Sequence, residues 1–313
     1  MQTSSVGIDV SKADLDVYVF PTKARLRVSN DETGIKELIA RLADVKDAVV
    51  VLEATGGFES YAAAALGTAG FNVVIVNPRQ VRDFARALGR LAKTDRIDAE
   101  VLALFGDRIR PTPRTLPDAS LRALEALITR RRQLLEMLGA ERNRLARIED
   151  RDVSKRIHRH VKWLQQELKA IDSDLDDTIR RTPLWRAKDD LLRSVPGVGQ
   201  VTSYTLIAEF PQLGTLRHKQ AAALCGLAPF NVDSGTFTGR RQVWGGRASV
   251  RSALYMAALV ATRCNPAIRD FYQRLLRAGK PKKVALIAAA RKLLVTLNAI
   301  LRDRTPWSPL REA

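Results

Sequence analysis

Cysteine and histidine are nearly absent from this chain. Its 313 residues contain two cysteines, Cys225 and Cys264, and three histidines, His158, His160 and His218. So few thiols exclude a disulfide framework or a cysteine-based zinc site, and both cysteines read as partly buried free thiols. So few imidazoles argue against a histidine-rich metal centre or a paired-histidine nicking enzyme. No uninterrupted apolar run reaches the roughly 18 residues of a membrane span. The stretch 61–70 is apolar but short and broken by glycine. A basic region followed by an apolar stretch is missing at the N-terminus, against a secretory signal, and no internal repeat is evident. These absences lead to the expectation of a cytoplasmic protein of bacterial or archaeal type with no membrane partner.

Positive charge is abundant. Lysine and arginine number 52 against 34 acidic residues, a formal net charge of +18. A polyanion is the default partner at that bias. The distribution is uneven: residues 1–105 hold 13 basic and 14 acidic side chains, and the remaining 39 basic and 20 acidic ones follow. Chemistry is expected in the near-neutral first third and backbone binding in the rest. An architectural nucleic-acid binder with an unrelated small domain in front is the competing reading.

The hydrophobic pattern predicts strands at 6–10, 15–20 and 24–29, then a helix over 32–42. Ala48–Glu53 reads as a buried central strand. A Gly-Gly break and a helix to about residue 68 come next, then a strand over 71–76 closed by Asn77-Pro78. The order β-β-β-α-β-α-β-α is that of a ribonuclease-H-like fold. After a break at 91–94, residues 95–109 are helical, and Pro111, Pro113 and Pro117 mark a linker. Two long helices are expected over about 118–180, an antiparallel pair or coiled-coil arm with arginines crowding one side. Val195-Pro196-Gly197-Val198-Gly199 fits the turn of a helix-hairpin-helix, where Gly197 and Gly199 would let the backbone approach a phosphate; a tight structural turn is the alternative. Residues 217–229 read as a short helix ending at Gly226. A Gly- and Arg-rich loop with Arg240, Arg241, Arg247 and Arg251 follows as a candidate phosphate-binding segment, with Trp244 placed to stack on a base or simply to pack. The rest is helical and basic. The expected fold class is thus α/β plus all-α: a ribonuclease-H-like domain over 1–110, a helical coiled-coil linker arm over 111–185, and a mainly helical C-terminal domain with the helix-hairpin-helix over 186–313.

Four acids stand out. Asp9 lies on the first strand, Glu53 ends the central strand, and Asp95 and Asp98 share a helix face at i and i+3. Four clustered carboxylates repel one another unless cations neutralise them. Hard oxygen donors select Mg²⁺, or Mn²⁺. Two such ions clamp the attacking and leaving oxygens of a phosphoryl transfer. Asp14 and Asp16, near the first strand, read as surface residues of a hairpin, and Glu100 as pointing away.

Gly7-Ile8-Asp9-Val10-Ser11-Lys12, Leu52-Glu53-Ala54-Thr55-Gly56, Val76-Asn77-Pro78 and Lys93-Thr94-Asp95-Arg96-Ile97-Asp98-Ala99 resemble the RuvC-like DEDD domain of the IS110 family of insertion-sequence transposases. Ser194-Val195-Pro196-Gly197-Val198-Gly199, Gly226-Leu227-Ala228-Pro229, Asp233-Ser234-Gly235 and Leu254-Tyr255-Met256 continue the resemblance in the family's order over nearly the whole chain. The resemblance implies a DNA transposase whose four acids bind Mg²⁺. It implies that Ser234 in the C-terminal domain is a nucleophile forming a covalent phosphoserine link to DNA. It further implies donor and target double-stranded DNA, a structured bridge RNA, a dimer or tetramer, and a nucleoid-associated protein when bound. Taken by itself, Asp-Ser-Gly is most often an ordinary turn. The acids and Ser234 are far apart in sequence, so a composite site requires docking of domains or subunits. Two competing readings are a Mg²⁺-dependent nuclease or junction resolvase that uses water, and a non-catalytic nucleic-acid binder.

Overall fold

A computed structural model describes residues 4–45, 47–90, 95–112, 118–231, 233–234, 237–239 and 241–308; for Asp95, Arg96, Phe237 and Thr238 it describes the backbone alone. The chain divides into two compact units, Met1–Pro117 and Asp118–Ala313. It is mixed α/β, with a five-stranded sheet and, among the described residues, twelve α-helices.

The first unit holds strands β1 (Ser5–Val10), β2 (Asp14–Phe20), β3 (Ala24–Ser29), β4 (Val49–Glu53) and β5 (Asn72–Val76) in the order β3-β2-β1-β4-β5. β1, β2 and β3 are antiparallel, whereas β4 lies parallel to both β1 and β5. This mixed sheet is consistent with a ribonuclease-H-like domain. Its helices are α1 (Glu32–Arg41), α2 (Glu59–Thr68), α3 (Pro78–Ala87) and α4 (Asp95–Ile109). The Asp31 side chain caps α1 by accepting from the Gly34 N–H, and Asn77 caps α3 ahead of Pro78, whose missing N–H costs nothing in a first helical turn.

The strand pleat sorts the core into two layers. Val6, Ile8, Val10, Val50 and Leu52 pack with Ile35, Leu38, Ala62 and Leu66 of α1 and α2. Val51, Val74 and Val76 face the other way, against Val81 of α3 and Val101, Leu102 and Phe105 of α4. Each such side chain contributes roughly 1.5–3 kcal/mol by leaving water. α4 comes unusually close to the sheet. A Cβ on Gly7 would run into the backbone of Ala99, Leu102 and Ala103. A Cβ on Gly106 would lie 2.9 Å from Val51 and 3.2 Å from Ser5. The Ser5 hydroxyl donates to the Ala103 carbonyl at 2.5 Å across this seam.

The second unit opens with α5 (Ala119–Leu145) and α6 (Arg151–Arg181). Arg131 meets Asp172 at 2.6 Å and Glu141 meets His160 at 3.3 Å, so the two helices run antiparallel about a bend near residue 148. Then come α7 (Pro183–Arg193), α8 (Gln200–Glu209), α9 (His218–Leu224), α10 (Ala248–Cys264), α11 (Pro266–Arg277) and α12 (Lys282–Asp303). One continuous core runs from Leu124 and Leu164 through Leu206 and Leu254 to Leu294, so the arm expected over 111–185 shares its interior with the C-terminal segment. The Tyr204 hydroxyl donates to Asp176 at 2.7 Å and ties α8 to α6; burial and this bond push the phenol up to about 12.

Two expectations change on contact with the structure. The segment after Pro229 is not a plain loop. β6 (Pro229–Phe230) pairs with β9 (Gln242–Val243), and β7 (Asp233–Ser234) with β8 (Phe237–Thr238). Two-residue strands are too short to show alternation, so the pattern gave no strand signal. In addition, α12 is long and apolar enough to cross a membrane by length and composition, although Arg291 and Lys292 interrupt its apolar run. Its Leu286, Ala289, Leu293, Leu294 and Leu297 instead lie in the core of the second unit.

The turn from α7 to α8 is packed. Gly197 has φ +99°, and a Cβ there would strike Ala261 of α10. Val195 and Val198 are buried on either side. The Asn265 amide donates to the Pro196 carbonyl at 3.3 Å. Gly199 is the N-cap of α8, and a Cβ there would meet open space.

Gly7→Ala should lower the stability of the first unit by at least about 2 kcal/mol, because the added methyl meets helix backbone that cannot repack. In the second unit, Gly197→Ala should destabilise by a comparable amount, and Gly199→Ala by less than about 1 kcal/mol. Urea unfolding of the full chain followed by circular dichroism reads all three, and equal effects at Gly197 and Gly199 would contradict this account of the turn.

Candidate active site

Two neighbouring parallel strands end in carboxylates. The register pairs Ile8 with Leu52, so the next residues, Asp9 and Glu53, stand side by side where β1 and β4 finish. Ile8 and Leu52 point into the α1–α2 layer, so the pleat turns Asp9 and Glu53 toward the α4 layer. α4 runs back along β1: Gly106 lies beside Ser5, and Ala103 and Ala99 lie beside Gly7. Its first turn, which carries Asp95 and Asp98, therefore comes over the ends of β1 and β4. Asp9, Glu53 and Asp98 are all half-buried. Asp9, Glu53 and Asp98 thus stand toward one end of one sheet face, and the backbone of Asp95 lies in the same first turn of α4.

The surroundings of that end are well braced. Glu59, at the start of α2, is buried and accepts from the Thr55 N–H at 3.1 Å, the Thr55 hydroxyl at 3.0 Å and the Gly57 N–H at 2.9 Å. It locks the loop that leaves Glu53. The sequence reading missed this role, because a glutamate two residues after a Gly-Gly break looks like an ordinary first-turn acid. Glu100 points away as expected, paired with Arg25 at 2.5 Å and Arg90 at 2.8 Å. Burial pushes its carboxyl up, but the two arginines outweigh burial and hold it below the usual range. Asp14 is a surface residue of the hairpin, paired with Arg27 at 2.6 Å. Asp16 differs: it lies opposite Asp9 in the β1–β2 register, on the same face, with Arg27 at 3.7 Å. Strand alternation across β2 was the signal that would have found it.

Among the described residues, no three Asp, Glu, His or Cys side chains form a group able to hold a metal ion. The Asp95 side chain is outside that set. The donors gathered here are all carboxylate oxygens, a chemistry that suits a hard divalent cation and no soft one.

Ser234 belongs to the second unit. It lies on β7, exposed, opposite Phe237. The Asp233 carboxylate beside it accepts from the Gly239 N–H at 3.2 Å. Lower in the hairpin, Phe230 meets Trp244 edge to face, with centroids 6.3 Å apart, and both rings are exposed. The four arginines proposed as phosphate contacts divide. Arg240 lies outside the described residues, and Arg241 is exposed. Arg247 donates to Gln212 at 3.0 Å and covers the Phe210 ring at 5.0 Å. Arg251 donates to the carbonyls of Cys225 at 3.3 Å and Gly245 at 2.5 Å. Arg247 and Arg251 therefore anchor the base of the hairpin to the helical core. Cys225, buried beneath it, has its thiol pushed up to about 12 by burial and is inert as a nucleophile. Cys264 is exposed. Gly197 serves packing, as described above, while Gly199 is exposed at the N-cap of α8, where no side chain caps the helix. The acids and Ser234 thus lie in different units.

Comparison with known proteins bears on both units. Residues 6–148 match the IS110-type DEDD transposase family, and residues 189–273 match the transposase family described as IS116/IS110/IS902. The pilin gene-inverting protein of Moraxella bovis is 28% identical over 98% of both chains. The insertion element IS900 uncharacterized 42 kDa protein of Mycobacterium paratuberculosis is 26% identical, over 97% of this chain and 96% of that one. The insertion element IS110 uncharacterized 43.6 kDa protein of Streptomyces coelicolor is 30% identical over 45% of this chain and 35% of its own length. The sheet that carries Asp9 and Glu53 and the hairpin that carries Ser234 each fall within a matched region, and the chain belongs to the IS110 family of insertion-sequence transposases, enzymes of DNA recombination.

Proposed function

We propose that this transposase cuts and rejoins DNA through a composite site in which the acids of the first unit act with Ser234 of the second. The observation that carries the reading is the strand register that sets Asp9 beside Glu53, with the first turn of α4 above them. Asp9, Glu53, Asp95 and Asp98 would hold Mg²⁺, or Mn²⁺. Bound there, the cation supplies positive charge to the phosphate oxygens as negative charge builds on them.

The residues of the chain do the rest. The Ser234 hydroxyl attacks a DNA phosphorus; a bond from Oγ to phosphorus forms and the bond to the leaving deoxyribose oxygen breaks. Ser234 gives up its proton and the leaving oxygen gains one, so the phosphodiester is exchanged for a phosphoserine ester. A hydroxyl from a second strand then reverses the step and restores a phosphodiester, with no net loss of bond energy. Ser234 suits this role because the hairpin holds it exposed on a stem fastened by Arg247 and Arg251. Arg241 and the open end of α8 at Gly199 supply backbone contacts to donor and target DNA. A structured bridge RNA guides the choice of DNA, and a dimer or tetramer brings the two halves of the site together.

Ser234→Ala should abolish cleavage of element-end DNA and remove the protein–DNA adduct seen on denaturing gels. Cleavage at the normal rate would instead identify water as the nucleophile and the protein as a nuclease or resolvase. Asp9→Ala and Glu53→Ala should each reduce cleavage by at least about a hundredfold, as loss of a transition-state charge contact does, with unfolding transitions close to wild type. Undiminished cleavage in EDTA would sink the metal assignment.

A further inference from the structure

The two strands that carry Asp9 and Glu53 are paired with each other only up to a point. The ladder between β1 and β4 stops at Ile8 and Leu52. Beyond it, Asp9 and Val10 follow β2, and Glu53 follows β5. These outer pairings fix each strand end to its own neighbour and leave the spacing between the two ends open. Twist rotates adjacent strands relative to one another, so ends that share no further bond diverge.

Asn30, at the junction of β3 and α1, bridges the segments that leave these two ends. Its side-chain amide donates to the Ser11 carbonyl at 2.9 Å, in the turn after β1, and to the Phe58 carbonyl at 3.3 Å, in the loop after β4. Its backbone N–H donates to the Ala13 carbonyl at 2.8 Å. Both segments are firm beyond these contacts. The Ser11 hydroxyl accepts from the Asp14 N–H at 2.8 Å, and Glu59 holds Thr55 and Gly57. The mount of Asn30 is firm too. The Ser29 hydroxyl donates to the Asp31 carboxylate at 2.9 Å, and a Cβ on Gly34 would strike the Ser29 backbone.

The amide keeps this orientation at a cost. Its oxygen is buried and has no hydrogen-bond partner among the described residues. Turning the amide over would set that oxygen against the two carbonyls, so both donors are committed to the bridge. A buried acceptor without a donor lowers stability, and such local conflicts are expected where the geometry of a site depends on the residue. We propose that Asn30 is a positioning residue of the acid site: its amide, acting through the two loops, sets the distance between the backbones that carry Asp9 and Glu53. The proposal rests on the reading of those acids as cation ligands.

Mn²⁺ titration of the full-length protein, read by electron paramagnetic resonance well below the unfolding transition of each variant, tests it. Asn30→Ala removes both side-chain donors, and Asn30→Ser leaves a hydroxyl that cannot span the two carbonyls. Each should weaken Mn²⁺ binding at least about fivefold, less than the roughly ten- to hundredfold that follows loss of a partner bonded directly to a metal ligand. Ser29→Ala, which breaks the neighbouring bond to Asp31 and leaves the bridge in place, should bind Mn²⁺ as wild type does. A merely structural role would move the unfolding midpoint of all three variants and leave their affinity unchanged. Wild-type affinity in both Asn30 variants, or an equal loss in Ser29→Ala, would overturn this proposal alone. A wild-type protein with no saturable Mn²⁺ site would remove the cation reading and this proposal with it.

Discussion

The architecture of the first unit depends on one close approach, that of α4 to the sheet at Gly7. Two hydrogens in place of a side chain let the helix backbone settle directly on β1. Gly106 repeats the device one end further along, above Ser5 and Val51. Between them these contacts fix both the height and the direction of α4. Its first turn has nowhere to lie except over the ends of β1 and β4, where Asp9 and Glu53 stand. Apolar burial of Val101, Leu102 and Phe105 supplies the affinity of the helix for the sheet, and the glycines supply its position. A chemical constellation spread from residue 9 to residue 98 is thus the consequence of a packing constraint.

The second unit solves a different problem. Its core continues from the long α5–α6 pair into the C-terminal helices, so the hairpin with Ser234 is mounted on a large rigid body. Arg247 and Arg251, which composition alone marks as phosphate ligands, are committed to Gln212, Phe210 and backbone carbonyls. They illustrate how a strongly basic chain divides its arginines between holding itself together and meeting its partner. Arg241, exposed on the same hairpin, is available for the second role.

Much of the first unit was legible in the sequence because its signals are local and periodic. The strand over 24–29 and the start of α1 at Glu32 were found where the structure has them, since strand patterning and the spacing of an apolar helix face are short-range features. The two helices of the 118–180 region were equally plain from their apolar stripes. What escaped was set by tertiary contact. The hairpin after Pro229 has strands of two residues, below the length at which a period is visible. Gly197 matched a phosphate-binding pattern, yet its lack of a side chain is required by Ala261, more than sixty residues away in sequence. Asp16 shares the face of Asp9 only because of the β1–β2 register, and Glu59 acts through a loop whose shape no spacing rule reveals. The four acids were singled out by family resemblance and by type; the close approach at Gly7 that lays the first turn of α4 toward the ends of β1 and β4 became visible only in three dimensions.

The central claim is that the docking of α4 on the sheet makes a cation site from Asp9, Glu53 and the acids of its first turn. Titration of the full-length protein with Mn²⁺, followed by electron paramagnetic resonance, tests it without reference to DNA cleavage. Wild type should deplete free Mn²⁺ at a saturable site, and Asp9→Asn and Asp98→Asn should each weaken that binding at least about tenfold while the protein stays folded. Mn²⁺ binding of wild-type strength in both variants would contradict the account.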